Sequence, residues 1–327
     1  MPHLLRPLLF ALITAALVLL APLHAAAGLP LLAGKRVLVL GDSITQDGRY
    51  VSSLEYYLQQ LAPETKCDLI SIGLSGETVS GLTEAGHPRP RPCVLERLDR
   101  ALQAVKPQVV FACYGMNDGI YHPSAPEHLA AFATGLRQLI TRVRAAGATL
   151  VLITPPVFDP VPVAAKTVPA TAPAFGYGRF FAGYDAVLAE FAAMETALRE
   201  PGVTVIDLHT PMAAALTARR ATDPAFTFAP DGVHPGDAGH LLMARIIGAG
   251  LGLPLPATDL EAEVARLKAD PVYDLVSARR QLRSEAWLNF VGFTHDRTYK
   301  STSINAAEQA AKLLQDQVDA RLAGPRN

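Results

Sequence analysis

Short apolar, β-prone runs alternate with longer amphipathic stretches along most of this chain. Val37 to Leu40 precedes Tyr50 to Leu61, Leu69 to Ile72 precedes Val94 to Val105, and Val109 to Cys113 precedes Leu129 to Val143. The alternation continues with Leu150 to Ile153 before Tyr184 to Leu198, and Val203 to Ile206 before Ala238 to Ile247. Runs of this kind, apolar throughout, suit strands buried on both faces, and the intervening stretches are long enough for crossover helices. The rhythm predicts about five parallel strands covered by helices on both faces, an α/β architecture in three layers.

Two segments depart from the rhythm. Pro155 to Gly183 is rich in Pro, Ala and Val and carries Phe158, Phe175, Tyr177, Phe180 and Phe181. It reads as an ordered insertion over the strand ends, either walling a pocket or packing as a surface loop. Beyond Pro256 the chain becomes charged and helical, over Asp259 to Leu267, Tyr273 to Phe290 and Ile304 to Leu322. The expected organisation is therefore a main domain over 28–256 and a helical extension over 257–327 packed on its core. Trp287, the only tryptophan, falls in that extension and reads as a core residue, with stacking on a sugar as the alternative.

Composition narrows the class. The 327 residues are 50% hydrophobic and 18% charged, with a formal net charge of −1. No overall field recruits nucleic acid or anionic lipid, and a small neutral substrate fits better. Residues 1–27 read as an export signal: Arg6 without an acid, an apolar stretch from Leu8 to Leu23, then Ala25-Ala26-Ala27 before Gly28. A secreted or periplasmic protein follows, with no stable membrane insertion after cleavage. Cys67, Cys93 and Cys113 are an odd number for an exported chain. They read as small buried hydrophobes, with one disulfide as the alternative.

The candidate chemistry gathers at successive strand ends. Gly41-Asp42-Ser43 follows the first strand and opens a helix-like stretch, which puts the Ser43 hydroxyl in the turn, where a serine is either a helix cap or a nucleophile. Among the nine histidines, His234 stands out because it lies three residues after Asp231 in a Gly/Pro-marked loop. A carboxylate there can hold one ring nitrogen while the other faces a serine. Gly76, in Gly73-Leu74-Ser75-Gly76-Glu77-Thr78, and Asn117, in Gly115-Met116-Asn117-Asp118, offer N–H donors for an oxyanion. Asp42 and Asp118, beside Ser43 and Asn117, are expected against the substrate.

These four blocks, in this order from Val37 to about Ile247, resemble those of the SGNH/GDSL hydrolase family. Gly-Asp-Ser-Ile stands here in place of the family's nominal Gly-Asp-Ser-Leu. The resemblance implies a flavodoxin-like α/β/α sandwich and a serine esterase with Ser43 as nucleophile, His234 as base then acid, and Asp231 as orienting carboxylate. It also implies Ser43, Gly76 and Asn117 as oxyanion donors, with no metal or organic cofactor. The expected substrate is a small-molecule or glycan ester, and the expected activity is carbohydrate O-deacetylation. The alternatives are a lipase or thioesterase acting on longer acyl chains, and a carbohydrate O-acyltransferase.

Overall fold

The structure, a computed structural model, describes residues 28–293 and 301–324. The export-signal reading of residues 1–27 lies outside the described residues. Five strands form a parallel sheet: β1 (Arg36–Gly41), β2 (Asp68–Ser71), β3 (Val109–Cys113), β4 (Thr149–Ile153) and β7 (Val203–Ile206), in the order β2-β1-β3-β4-β7. Two further strands, β5 (Thr167–Val168) and β6 (Phe180–Phe181), pair only with each other inside the insertion. Every residue of β3 is buried, as is all of β1 after Arg36, which is why these strands read as unbroken apolar runs.

Strand order reverses beside β1, and this reversal sets the layers. The helix α2 (Arg49–Leu61) carries the chain from β1 to β2, whereas α3 (Val94–Val105) returns it past β1 to β3. Because such crossovers are right-handed, α2 and α3 fall on opposite faces. The helices α4 (Pro126–Ala145) and α5 (Tyr184–Thr196) continue in the direction of α3, and α3 packs on α4 and α4 on α5. The helix α7 (Asp237–Gly250) packs on α2 in the other layer. An additional helix, α6 (His209–Arg220), follows β7 and touches both α5 and α7.

The extension consists of α8 (Leu260–Lys268), α9 (Pro271–Val291) and α10 (Ile304–Ala323), close to the expected spans. Asp270 caps α9 by accepting from Val272 N at 2.8 Å, and Pro271 occupies the position where its missing N–H costs nothing. The helix runs along the exposed edge of β2, where Arg283 Nη1 donates to the Leu69 carbonyl at 2.8 Å. A sheet edge otherwise open to pairing is thereby covered. Trp287 packs inside this interface and donates from Nε1 to Glu308 of α10.

Among the described residues no helix is long and apolar enough to cross a membrane. The three cysteines are free thiols, and burial pushes them up, Cys67 to about 12 and Cys93 to about 11. Cys113 is fully buried in β3.

The sheet brings β1 and β3 side by side with Gly41 opposite Cys113. A Cβ at Gly41 would stand 2.1 Å from Thr45 Oγ1 and 2.9 Å from the Cys113 carbonyl, so the chain turns here only with glycine. The loops leaving these strands and β2 meet at the switch point where such sheets bind ligands.

Candidate active site

The short helix α1 (Ser43–Asp47) starts directly at the end of β1. Asp42 is its cap, accepting from Ile44 N at 2.9 Å through Oδ1. Ser43 is therefore the first helical residue, and its N–H is one of those a helix start leaves without an intrahelical acceptor.

His234 reaches Ser43 from the far end of the sequence. Its Nε2 lies 2.7 Å from Ser43 Oγ and its Nδ1 2.7 Å from Asp231 Oδ2. The loop geometry follows from one carboxylate, since Asp231 Oδ1 also accepts from Val233 N at 3.0 Å and His234 N at 2.7 Å. Such a side-chain-closed turn is a familiar use of aspartate. Arg49 ties this loop to α1 by donating to Asp47 at 2.8 Å, to Asp237 at 2.5 Å and to the Pro235 carbonyl at 3.1 Å.

A cavity of about 300 Å³ opens beside the pair, walled by Ser75, Gly76, His87, Arg89, Pro90, Arg91, Pro92, Asn117, Tyr121 and Tyr177. Gly76 has φ +78°, a backbone conformation that glycine adopts at no steric cost. Its loop rests on a buried ion pair: Arg97 donates to Glu77 at 2.6 and 2.7 Å and to the Ile72 carbonyl at 2.8 Å. Tyr114 adds a 2.6 Å bond to the same Glu77. Asn117 presents Nδ2 toward Asp42 Oδ2 at 3.4 Å and the Glu77 carbonyl at 3.3 Å.

A sequence profile of the GDSL-like Lipase/Acylhydrolase family matches residues 39–242. The chain belongs to this family. It is thus an ester-hydrolysing enzyme by class, and the profile covers the sheet, Ser43, His234 and Asp231. A search of curated protein sequences found no match. Among solved structures, a gut microbial diltiazem-metabolizing enzyme is similar at 22% identity and a TM-score of 0.51, over 67% of this chain and 47% of that one. This chain thus spans about half the length of that relative. An acetylxylan esterase, Axe2 from Geobacillus stearothermophilus, aligns at 24% identity and a TM-score of 0.46, over 71% of this chain and 100% of its own.

In this GDSL-like acylhydrolase the site's charges are set by local contacts. Burial acts to raise the Asp231 carboxyl, but hydrogen bonds from the His234 side chain and backbone and from Val233 outweigh it and hold it well below the usual range. The hydrogen bond to Asp231 raises His234, against burial. An imidazole held in this way can accept a serine proton and return it to a leaving group.

Asp42 and Asp118 do not line the cavity. Asp42 is 3% exposed, and burial pushes its carboxyl up to about 7 against the Ile44 amide and the charge of His234. Asp118 is fully buried, accepting from Val79 N at 2.8 Å, Ser80 N at 2.7 Å and Gly115 N at 2.9 Å. Both pin loops from beneath the cavity. His209 is buried at the head of α6 with Nε2 3.9 Å from Asp185.

Sequence reasoning passed over Arg91, His87 and Arg89. Arg91 grips Glu84 at 2.6 and 2.7 Å, and from Nη1 reaches Asn117 Oδ1 at 3.0 Å and the Gly76 carbonyl at 3.3 Å. The available signal was the alternation His87-Pro88-Arg89-Pro90-Arg91-Pro92, which sets the three side chains two residues apart.

Proposed function

We propose that the protein is an exported serine esterase that removes short acyl groups, acetyl foremost, from a carbohydrate. The observation that carries the reading is the hydrogen-bonded line Asp231–His234–Ser43, at 2.7 Å in each link, opening onto a small cavity. Ser43 Oγ attacks the ester carbonyl carbon as its proton passes to His234 Nε2, and Asp231 stabilises the resulting imidazolium. The tetrahedral oxyanion receives the N–H groups of Ser43 and Gly76 and the Asn117 amide nitrogen. Collapse expels the alcohol, which takes the proton from His234 and leaves an acyl-enzyme. Water, deprotonated by His234, attacks the acyl carbon, and the acid departs as Ser43 regains its proton.

Acyl length is argued from the walls. At about 300 Å³ the cavity is at the small end for ligand sites, and its apolar surface comes from Pro90, Pro92, Tyr121 and Tyr177. A long acyl chain would meet Arg89, Arg91, His87 and Asn117 instead of hydrocarbon. Tyr177 is 55% exposed with its ring edge-on to His234, and an open aromatic face among polar donors suits a sugar ring. Export is supported by the pattern of residues 1–27.

The test is hydrolysis of p-nitrophenyl acetate, butyrate and octanoate by protein starting at Gly28. Rates that fall steeply with chain length and vanish in Ser43→Ala and His234→Ala agree with the proposal. Rates that rise with chain length overturn the short-acyl assignment, and activity retained in Ser43→Ala overturns the mechanism. With an acetylated sugar and a sugar acceptor, release of free acetate in excess of transfer product separates hydrolysis from acyl transfer.

A further inference from the structure

A second cavity, of about 830 Å³, lies between the family-matched domain and the C-terminal extension. Its walls come from α1, α2 and α7 on one side and from α8 and α9 on the other. None of its lining residues is shared with the cavity at Ser43.

One buried charge in this cavity makes no salt bridge to any described residue. Arg280 is 8% exposed, and its only hydrogen bond among the described residues runs from Nε to Ser52 Oγ at 2.8 Å. Neither terminal nitrogen bonds to a described residue, and both keep access to the cavity space, since neither is among the sealed, unpartnered atoms. The neighbouring arginines of α9 behave differently. Arg279 pairs with Glu55, and Arg283 pairs with Asp68 at 2.8 Å and Glu308 at 3.1 Å. Burial pulls the proton affinity of both Arg280 and Arg283 down, and only in Arg283 do the carboxylates reverse the effect.

The other ions of the cavity do not supply the missing partner. Arg49 is taken by Asp47 and Asp237, and Lys268 by Asp237. Asp274 and Glu285 stand exposed at the rim. Buried charges in proteins are paired as a rule, and a guanidinium with two free parallel N–H groups matches a carboxylate in bidentate geometry. Much of the remaining wall is hydrocarbon, from Leu241, Val264, Leu267 and Leu288.

We propose that this cavity is a second ligand site, taking a small organic anion whose carboxylate sits on Arg280 and whose apolar body lies against Leu241, Val264, Leu267 and Leu288. The proposal is independent of the chemistry assigned to Ser43. A cavity of this volume accommodates a ligand well beyond acetate in size.

The experiment is calorimetric titration of the wild-type protein with sodium octanoate, beside Arg280→Gln and Ser277→Trp, the second placing a bulky ring in the cavity while leaving Arg280 intact. Wild type is expected to bind saturably, Arg280→Gln about ten-fold more weakly or worse, and Ser277→Trp not at all. Acetate and orthophosphate are expected to bind wild type no better than octanoate binds Arg280→Gln. Without ligand, Arg280→Gln is expected to melt at or above the wild-type temperature, because it removes an unpaired charge. The proposal is overturned by no saturable heat in wild type up to about 10 mM. Equal octanoate binding in Arg280→Gln or Ser277→Trp, equal binding of acetate and octanoate, or a clear fall in melting temperature of unliganded Arg280→Gln also overturns it.

Discussion

Arg91 donates from Nη1 to Oδ1 of Asn117 at 3.0 Å, and this bond fixes which way the Asn117 amide faces. The Tyr121 hydroxyl donates to the same oxygen at 3.0 Å, so the amide oxygen is held by two donors and the nitrogen must turn away from them. One guanidinium therefore orients the proposed oxyanion donor while its remaining nitrogens hold Glu84. Arg91→Met is expected to lower kcat on p-nitrophenyl acetate about ten- to hundred-fold with a smaller change in KM. Lysine at this position is not expected to restore kcat, because a point charge cannot bridge Glu84, Gly76 and Asn117 together. Unchanged kcat in Arg91→Met would show that Asn117 needs no such support.

Asn117→Ala removes the proposed oxyanion donor itself. The expected loss is about 10²- to 10³-fold in kcat, with Tm close to wild type. Steady-state kinetics with thermal melting separate this outcome from a folding defect.

The pH dependence follows from the raised His234. As the proposed base, His234 must be neutral to accept the Ser43 proton, so kcat/KM should climb with pH through a midpoint above the ordinary histidine value of about 6.5. Asp231→Asn removes the main cause of that rise, so its midpoint should move down while activity falls about 10⁴-fold. A pH–rate profile of both proteins checks the two effects together.

Glu195 makes a prediction about stability instead of rate. It is fully buried in α5, neither carboxyl oxygen has a hydrogen-bond partner among the described residues, and burial holds its pKa well above the usual range. The unfolded chain releases this proton above about pH 4.3 while the folded one keeps it, so the group makes stability fall as pH rises beyond that point. Glu195→Met should raise unfolding free energy by about 1–3 kcal/mol at pH 8, with a smaller gain at pH 4. Denaturant titrations at the two pH values measure the difference.

Arg97 and Glu77 pull in the opposite direction, because removing one partner leaves the other charged and sealed from water. Arg97→Met is expected to cost about 3–5 kcal/mol, visible as a large fall in Tm.

Much of this arrangement was legible in the sequence, for a physical reason. Strands β1, β3 and β4 are buried on both faces, so their apolar runs are continuous and their ends mark the loops that carry Ser43 and Asn117. The helix α6 escaped notice because Pro211 and an alanine run dilute its pattern, leaving Met212 and Leu216 as its large buried apolar residues. Of the aromatics in the insertion, Phe158 and Phe180 turn into the core against Tyr121 and Tyr184, and only Tyr177 reaches the cavity. Adjacency in sequence does not reveal that Ser43 and Asn117 line the cavity while their neighbours Asp42 and Asp118 do not. Arg91 acts through partners at positions 76, 84 and 117 that only the folded loop assembles.

The central claim is that Ser43 forms a covalent intermediate. Treatment with diethyl p-nitrophenyl phosphate, followed by intact-mass and peptide mass spectrometry, tests it most directly. A single diethylphosphoryl group is expected on Ser43, with esterase activity lost in proportion to labelling and no label in Ser43→Ala. Inactivation with the label on another residue, or full activity in a protein labelled at Ser43, would contradict it.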